Sequence, residues 1–507
     1  MAGDNPDPWM EERLVRLSTA GKMPIDYDFL LQDAMAILTA ATFADQPLDR
    51  QVAMIGTIFV CMTTTGHAQA GAVAAVAAPH AGRLLRQPAL TLPDACRLHE
   101  ALWQMWWSAA TSLDDMRPIH AQVCLPFHEF LERRSLLCSA HERGLPRNDG
   151  RRLRIAYLLH YAHGQRGNAM APLVRSLARA HAALPARQVF VYAVQWVNAA
   201  WLQASFKGSG VITRTVPQEG HYDQLDALFA QLQADEIDVI VSEVTSSITA
   251  ILFGRRAAPV QLWIDMGLPY WFQPEVDLAL QPGKRRRDGY PFTAAQSMEI
   301  HLFQDHDTLF REPPAAALAE ACASVPTDRM VIAVFSRLIK ITPAYLAFAR
   351  AVLLRHPQTH FLIGGGGDPR LVRDFVALPE LAGRATFIHG NVDLGAYARV
   401  IHLFLDTFPF IGGLACREIA AQGVPVVSLR THEWDRLQDR DREPDSIASD
   451  LDGLHALIDR LLTDSDFYRA RATAARTAAR AGTDVAASAH DIEAAIDRVR
   501  QRRDQAL

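Results

Sequence analysis

Cysteine is scarce in this 507-residue chain: Cys61, Cys96, Cys124, Cys138, Cys322 and Cys416 form no C-x-x-C pair and so no paired Cys/His ligand set of the zinc-finger kind. This pattern speaks against a zinc site and a disulfide framework, and it suits a reducing compartment. Nowhere do about 18 apolar residues run together, the length that a membrane-spanning helix requires. The alanine-rich stretch from Ala70 to Ala78 is too short, contains Gly71 and is followed by Pro79. The opening residues, MAGDNPDPWMEERL, are acidic and polar where a secretory leader needs a basic and then an apolar segment, so a cytoplasmic location is expected. Basic residues are not in excess: the formal net charge is -5 and the pI is about 6.4, without the positive footprint of a nucleic-acid partner. Nor is there an internal period of the kind that marks a helical solenoid.

What is present is a folded-protein composition, 49% apolar and 21% charged, in a chain too long for one core, so two or three domains are expected. Residues 1–148 read as helical throughout. DYDFLLQDAMAILTAATFA, DRQVAMIGTIFVCM, LPDACRLHEALWQMWWSAATSL and HAQVCLPFHEFLERRSLL each place apolar residues at spacings of three and four. Trp103, Trp106 and Trp107 form a stripe within them that is expected to pack in the core. After the polar joint GLPRNDGRR the texture changes to short apolar runs, LRIAYLL, QVFVYAV, GVITRTV, IDVIVSEV and VQLWIDM, several of them separated by helical stretches. A second such unit contains MVIAVFS, THFLIGGGG, ATFIHG, HLFLDTF and PVVSL. Near-continuous apolar strands alternating with helices predict parallel sheets covered on both faces. The expected architecture is α/β: an all-α domain over 1–148, a first Rossmann-like domain over 149–325, and a second over 326–507 that ends in charged surface helices. The basic cluster Lys284, Arg285, Arg286 and Arg287 reads as a solvated loop.

In open parallel sheets ligands sit outside the carboxyl ends of the strands, so the residues that follow each strand are the ones to weigh. The run LDTFPFIGGLACREIAAQGVPVVSL, 405–429, reads as a strand, a Pro/Gly loop, a helix carrying Glu418, and another strand. It aims a helix N-terminus, with its backbone N–H groups and positive dipole end, at an anion above the loop. After MVIAVFS come two cations, Arg337 and Lys340, on the way from a strand to a helix. GGGGD, 364–368, has the wrong spacing for a dinucleotide fingerprint and reads as a flexible turn near the cleft.

FSRLIKITP, followed by LDTFPFIGG, an acidic helix residue and QGVPVVSL, resembles the nucleotide-binding half of the O-GlcNAc transferase family, glycosyltransferase family 41. Its bacterial branch, the cytoplasmic N-glycosyltransferases of high-molecular-weight adhesins, is closer still. IDVIVSEVTSSITAILFGRRAAPVQLWIDMGLP resembles that family's first Rossmann-like half. The resemblance implies a GT-B fold and metal-independent, inverting transfer of a hexose or N-acetylhexosamine from a UDP-sugar. The donor is a substrate and no cofactor is implied; a protein or peptide acceptor is expected, with no nucleic acid and no membrane span. Carried over residue by residue, Lys340 contacts the diphosphate and Arg337 provides a second phosphate or sugar contact. Gly412, Gly413 and the amide of Leu414 receive the phosphates, Glu418 accepts from the ribose hydroxyls, and Asn391 and Tyr397 border the base.

The loop after the first strand resembles the family's histidine-bearing loop, and His160 or His163 is the candidate base, with an ordinary pKa near 6.5 suited to neutral pH. Spacing does not choose between them. Two departures stand out. Leu414 and Ala415 replace polar residues that would contact phosphate, and Gly267-Leu268-Pro269 is followed by Tyr270, Trp271, Phe272 and Gln273 rather than small hydroxylated residues. A nucleotide-sugar 2-epimerase on the same fold and a non-catalytic glycosyltransferase-like subunit are the alternatives.

Overall fold

The structure is a computed structural model of the chain and describes residues 8–20, 25–109, 117–138, 150–160, 170–194, 197–215, 224–243, 246–265, 273–282, 293, 295–301, 304–431, 443–481 and 484–506. Two compact units are distinguished: residues 1–149, 216–279 and 289–296 form one, and residues 150–215, 280–288 and 297–507 the other.

In the first unit, helices α1 (Pro8–Thr19), α2 (Tyr27–Thr39), α3 (Leu48–Thr64), α4 (Ala70–Leu85), α5 (Leu92–Ala109) and α6 (Leu125–Arg133) precede any strand, and a π-turn over His120–Cys124 leads into α6. Helix α2 starts where Asp26 accepts from the amide of Phe29, a side-chain cap of an otherwise unpaired donor. The alanine-rich segment is helix α4, which continues through Pro79 and buries its small residues Ala74, Ala77, Ala78 and Ala81. The tryptophan stripe divides: Trp106 is buried, whereas Trp103 and Trp107 stack on each other and Trp107 is exposed. The same unit contains helices over Leu225–Ala234 and Ser247–Gly254 and strands over Val239–Ser242 and Val260–Ile264.

The first sheet is built from β1 (Leu153–Leu159), β2 (Arg187–Ala193), β3 (Ile212–Thr215), β4 (Val239–Ser242), β5 (Val260–Ile264), β6 (Leu278–Pro282) and β7 (Ser297–Ile300). Its order is β3-β2-β1-β4-β5-β6-β7, with β1–β2, β2–β3 and β4–β5 parallel. Helices α7 (Met170–Ala182), α8 (Ala199–Phe206), α9 (Leu225–Ala234) and α10 (Ser247–Gly254) alternate with the early strands. The expected strands are present, and β6 and β7 are additions that the apolar runs did not suggest.

Helices α11 (His306–Leu309) and α12 (Ala315–Ala323) lead to the second sheet. It comprises β8 (Met330–Phe335), β9 (Thr359–Gly365), β10 (Ala385–His389), β11 (Leu403–Leu405), β12 (Val426–Leu429) and the short β13 (Ile447–Ala448), in the order β10-β9-β8-β11-β12-β13. Every neighbouring pair in it is parallel. Helices α13 (Pro343–Arg355), α14 (Arg370–Val376), α15 (Leu394–Tyr397), α16 (Leu414–Ala421), α17 (Leu451–Thr463), α18 (Ser465–Ala481) and α19 (Val485–Ala506) complete the chain. Strand alternation sorts the core: Ile332, Val334, Phe361, Ile363, Leu403 and Leu405 join one apolar cluster, while Val331, Ala333, Phe335, Leu362 and Phe404 join the other. The sheet is therefore apolar on both faces, which is why its strands read as unbroken apolar runs.

The glycine run belongs to this sheet. Gly364 and Gly365 end β9 rather than forming a turn. A side chain at Gly365 would place its Cβ 1.8 Å from the carbonyl oxygen of Ser336, and one at Gly364 would meet the Phe335 ring at 2.7 Å. The backbones beyond β8 and β9 approach more closely than any Cβ permits. Gly365→Ala is accordingly expected to lower stability by about 3 kcal/mol or more through overpacking against backbone. An unchanged urea midpoint would show that the two strand ends can part without cost.

Candidate functional site

The carboxyl end of the second sheet carries most of the residues singled out by sequence. Beyond β8 the Ser336 amide donates to the Gly364 carbonyl (3.0 Å) and the Leu338 amide to the Gly366 carbonyl (2.9 Å), so the exit from the strand stays stitched to the glycine run. Residues Leu338–Lys340 then make one 3-10 turn, and Thr342 caps α13 by accepting from the Tyr345 amide (3.1 Å), with Pro343 at the first helical position. This places Lys340 on a short, fixed segment.

Opposite it lies the loop between β11 and α16. Asp406, 1% exposed, accepts through Oδ1 from the Thr407 amide (2.8 Å) and the Gly412 amide (2.6 Å), and through Oδ2 from the Ser428 hydroxyl (2.9 Å) on β12. The Thr407 hydroxyl donates to the Phe410 carbonyl (2.7 Å), and the Tyr345 hydroxyl donates to the Leu405 carbonyl (2.9 Å). A side chain at Gly412 would collide with Asp406 and with the Cys416 sulfur, at 2.8 and 2.7 Å. Gly412 is thus demanded by the tight return of the loop onto the Asp406 carboxylate. The sequence offered LDT as the end of a strand and gave no signal that its aspartate organises the seven residues after it.

The loop delivers Gly413 to the N-cap of α16, and no side chain caps that helix. Lys340 meets the same loop: Nζ donates to the Ile411 carbonyl at 2.9 Å and lies 4.1 Å from the centroid of the Phe410 ring. A cation and a helix N-terminus are therefore brought together at residues 410–414, and both favour negative charge there. Arg337 occupies the strand exit two residues past Phe335, and burial pulls its pKa below the usual arginine value. Leu414 and Ala415 are half-buried at the start of α16 and offer only their backbone donors.

Glu418 sits one turn further along α16. Burial chiefly, helped by the charges of Asp393 and Asp305 and opposed by Arg311, pushes its carboxyl up to about 7. Asp393 caps α15 through the Ala396 amide (3.1 Å) and is paired with Arg311 (2.8 Å). Asp305 accepts from Arg175, Ser176 and the Thr308 amide. Asn391 is exposed immediately after β10, next to Gly390, whose amide donates to the Gly365 carbonyl (2.9 Å).

Two of the expected residues differ from their expected surroundings. Tyr397 is buried in the apolar cluster under the sheet, edge-on to Phe335 at 5.3 Å, and its hydroxyl accepts from Ser324 (3.3 Å). Its side chain packs the core, where an aromatic at helical spacing is drawn by burial. His160, directly after β1, is completely buried, and burial drives its pKa down to about 3. The near-neutral pKa on which a general-base role depended does not survive that environment. His163, Gly267-Leu268-Pro269, Tyr270-Trp271-Phe272 and the basic cluster Lys284–Arg287 lie outside the described residues. Among the described residues no group of three or more His, Cys, Asp or Glu side chains gathers as a metal site would require, and no helix is long and apolar enough to cross a membrane.

No family model matches the sequence, and no curated protein matches it. Solved structures do match. A mutant of the Thermobaculum terrenum O-GlcNAc transferase is similar over 100% of both chains, at a TM-score of 0.60 and 18% identity. A glycosyltransferase from Rickettsia africae aligns with 69% of this chain and 98% of its own (TM-score 0.52, 10% identity). Anabaena HepE in complex with UDP aligns with 68% of this chain and 100% of its own (TM-score 0.51, 14% identity). Two parallel-sheet α/β domains preceded by an all-helical region, the GT-B architecture, are the fold of this chain.

Two measurements test the site. Asp406→Ala leaves two buried amides and a hydroxyl without their acceptor, and a loss of roughly 3 kcal/mol is expected in urea unfolding, with faster exchange of the Gly412 amide. Equal exchange in variant and parent would remove Asp406 as the organiser of the loop. For Glu418, the folded pKa of about 7 exceeds the ordinary value of 4.5. Its contribution to stability is therefore complete below about pH 4.5 and is lost as pH rises through about 7. Glu418→Gln should melt progressively higher than the parent between pH 5 and pH 8; a difference independent of pH would contradict the raised pKa.

Proposed function

We propose that this chain is a UDP-sugar-dependent glycosyltransferase of the O-GlcNAc transferase family, nearest to its bacterial adhesin N-glycosyltransferase branch. In this reading it works in the cytoplasm and moves a hexose or N-acetylhexosamine onto a protein side chain. The observation that carries it is the meeting of Lys340 with the loop that starts α16, 2.9 Å from Nζ to the Ile411 carbonyl. Complexes of the similarly folded HepE with UDP and with UDP-glucose support a nucleotide-sugar donor.

The acceptor nucleophile attacks the anomeric carbon, the bond from that carbon to the β-phosphate oxygen breaks, and UDP departs with the electron pair. The negative charge that develops there is balanced by Lys340, by Arg337 and by the N-terminal amides of α16, groups already in place before the reaction. Glu418 receives the ribose hydroxyls, and residues 326–507 hold the donor. No metal or cofactor takes part in this scheme. In this reading His160 or His163 removes the acceptor's proton, and the burial that lowers the His160 pKa to about 3 weighs against His160.

A non-catalytic, nucleotide-binding subunit is the second reading. The buried His160 and the absence of side-chain donors at Leu414 and Ala415 favour it.

Incubation with UDP-, GDP- and ADP-sugars and a cytoplasmic lysate distinguishes these readings. Free UDP together with glycosylated peptides supports transfer, interconverted sugar without transfer indicates a 2-epimerase, and UDP binding without turnover identifies the subunit. Lys340→Ala is expected to lower turnover by about 100-fold or more, the scale for losing one preorganised charge at a leaving group, while a chelator leaves the parent unaffected. Unchanged turnover in Lys340→Ala would refute the site.

A further inference from the structure

We propose that Phe410 is a positioning residue for Lys340, holding the ammonium against the start of α16 through the face of its ring. The contact stands on the geometry alone; its consequence for turnover rests on the donor-site reading above.

A lysine is a compact charge on a flexible four-carbon stem, so charge stabilisation by lysine depends on what restrains the stem. The Ile411 carbonyl at 2.9 Å and the Phe410 ring at 4.1 Å both restrain Nζ here. The ring face carries the negative part of the aromatic quadrupole and attracts a cation at this distance. The two phenylalanines around Pro409 have divided their tasks. Phe408 packs into the core against Tyr345 (5.2 Å) and Phe348 (5.8 Å), anchoring the loop. Phe410 turns its face to the cation, and its backbone is held by the Thr407 hydroxyl on its carbonyl. Thr407 and Gly412 are in turn fixed by Asp406. The backbone that carries the ring is thus held in place, and the ring itself is buried.

Composition adds weight. The chain has 51 lysines and arginines together, of which only Lys22, Lys207, Lys284 and Lys340 are lysine. Most cationic positions are served by arginine, whose planar fork is broader and pairs with oxygens two at a time. A compact ammonium with three donors suits the space between a carbonyl oxygen and a ring face. With Leu414 and Ala415 offering no side-chain donors, the placement of this one ammonium bears more of the diphosphate charge.

Four lysines make the contact directly observable. In full-length protein labelled with [13Cε]lysine, the Hε protons of Lys340, identified by their loss in Lys340→Arg, should be shifted upfield by the ring current of Phe410. Phe410→Leu, which keeps the apolar packing, should return them to the position of an exposed lysine, and Phe410→Tyr should keep the shift. In UDP release from a UDP-sugar, Phe410→Leu should lower kcat about three- to tenfold, within the range of cation–π attractions, with KM changed less than twofold. Phe410→Tyr should restore kcat. An upfield shift that survives Phe410→Leu, or a kcat equal to the parent after the shift is lost, would overturn the proposal. So would a loss of folding in Phe410→Leu accompanied by a Phe410→Tyr variant that folds but shows no upfield shift. A parent protein that binds no UDP yet shows the shift would sink the donor-site reading and the role in turnover, and leave the Lys340–Phe410 contact standing.

Discussion

The carboxylate of Asp406 is the constraint on which the site depends. It ends β11 inside the sheet and takes bonds from Thr407 and Gly412 in the following loop and from Ser428 on the neighbouring strand. An almost fully buried carboxylate of this kind is tolerated because its lone pairs are occupied by fixed donors. In satisfying itself it folds the loop back by six residues, forces glycine at position 412, and sets where α16 begins. Gly413, the start of α16 and the Ile411 carbonyl that meets Lys340 are all positioned relative to that return.

Charge at the rim is arranged by contrast. Lys340 is held on one side by a carbonyl and a ring, while Glu418, a turn into α16, lies among Asp393 and Asp305 and is pushed toward neutrality at physiological pH. A carboxyl of that kind accepts hydrogen bonds as an anion and can donate one when protonated. Leu414 and Ala415 add no side-chain donors at the start of α16, so the polar groups this rim presents there are backbone amides together with the cations Lys340 and Arg337.

Much of the architecture was legible because parallel strands buried on both faces leave an unbroken apolar run. MVIAVFS, THFLIGGGG and PVVSL announced themselves this way, and Thr342-Pro343 announced a helix start. Strands β6 and β7 were not legible: Leu278–Pro282 and Ser297–Ile300 are short, and their composition matches ordinary loops. GGGGD was legible as unusual, but the need for glycine at 364 and 365 was not, since it comes from Phe335 and Ser336 on a neighbouring segment. Tyr397 and His160 follow from the resemblance to family loops, and a resemblance in sequence carries no information about depth. Both side chains turn out to be buried.

The sequence by itself determined the fold class, most of its helices and strands, and the two segments that supply a cation and a helix N-terminus, because local periodicity and turn chemistry encode these within a few residues. Only the tertiary structure decided that Asp406 organises the loop, that Phe410 faces Lys340, that Glu418 is shifted toward neutrality and that His160 is a weak base. Those properties arise from neighbours distant in sequence: hydrogen-bond partners, ring faces and desolvation depend on what the folded chain places within a few ångströms, and no local pattern records it.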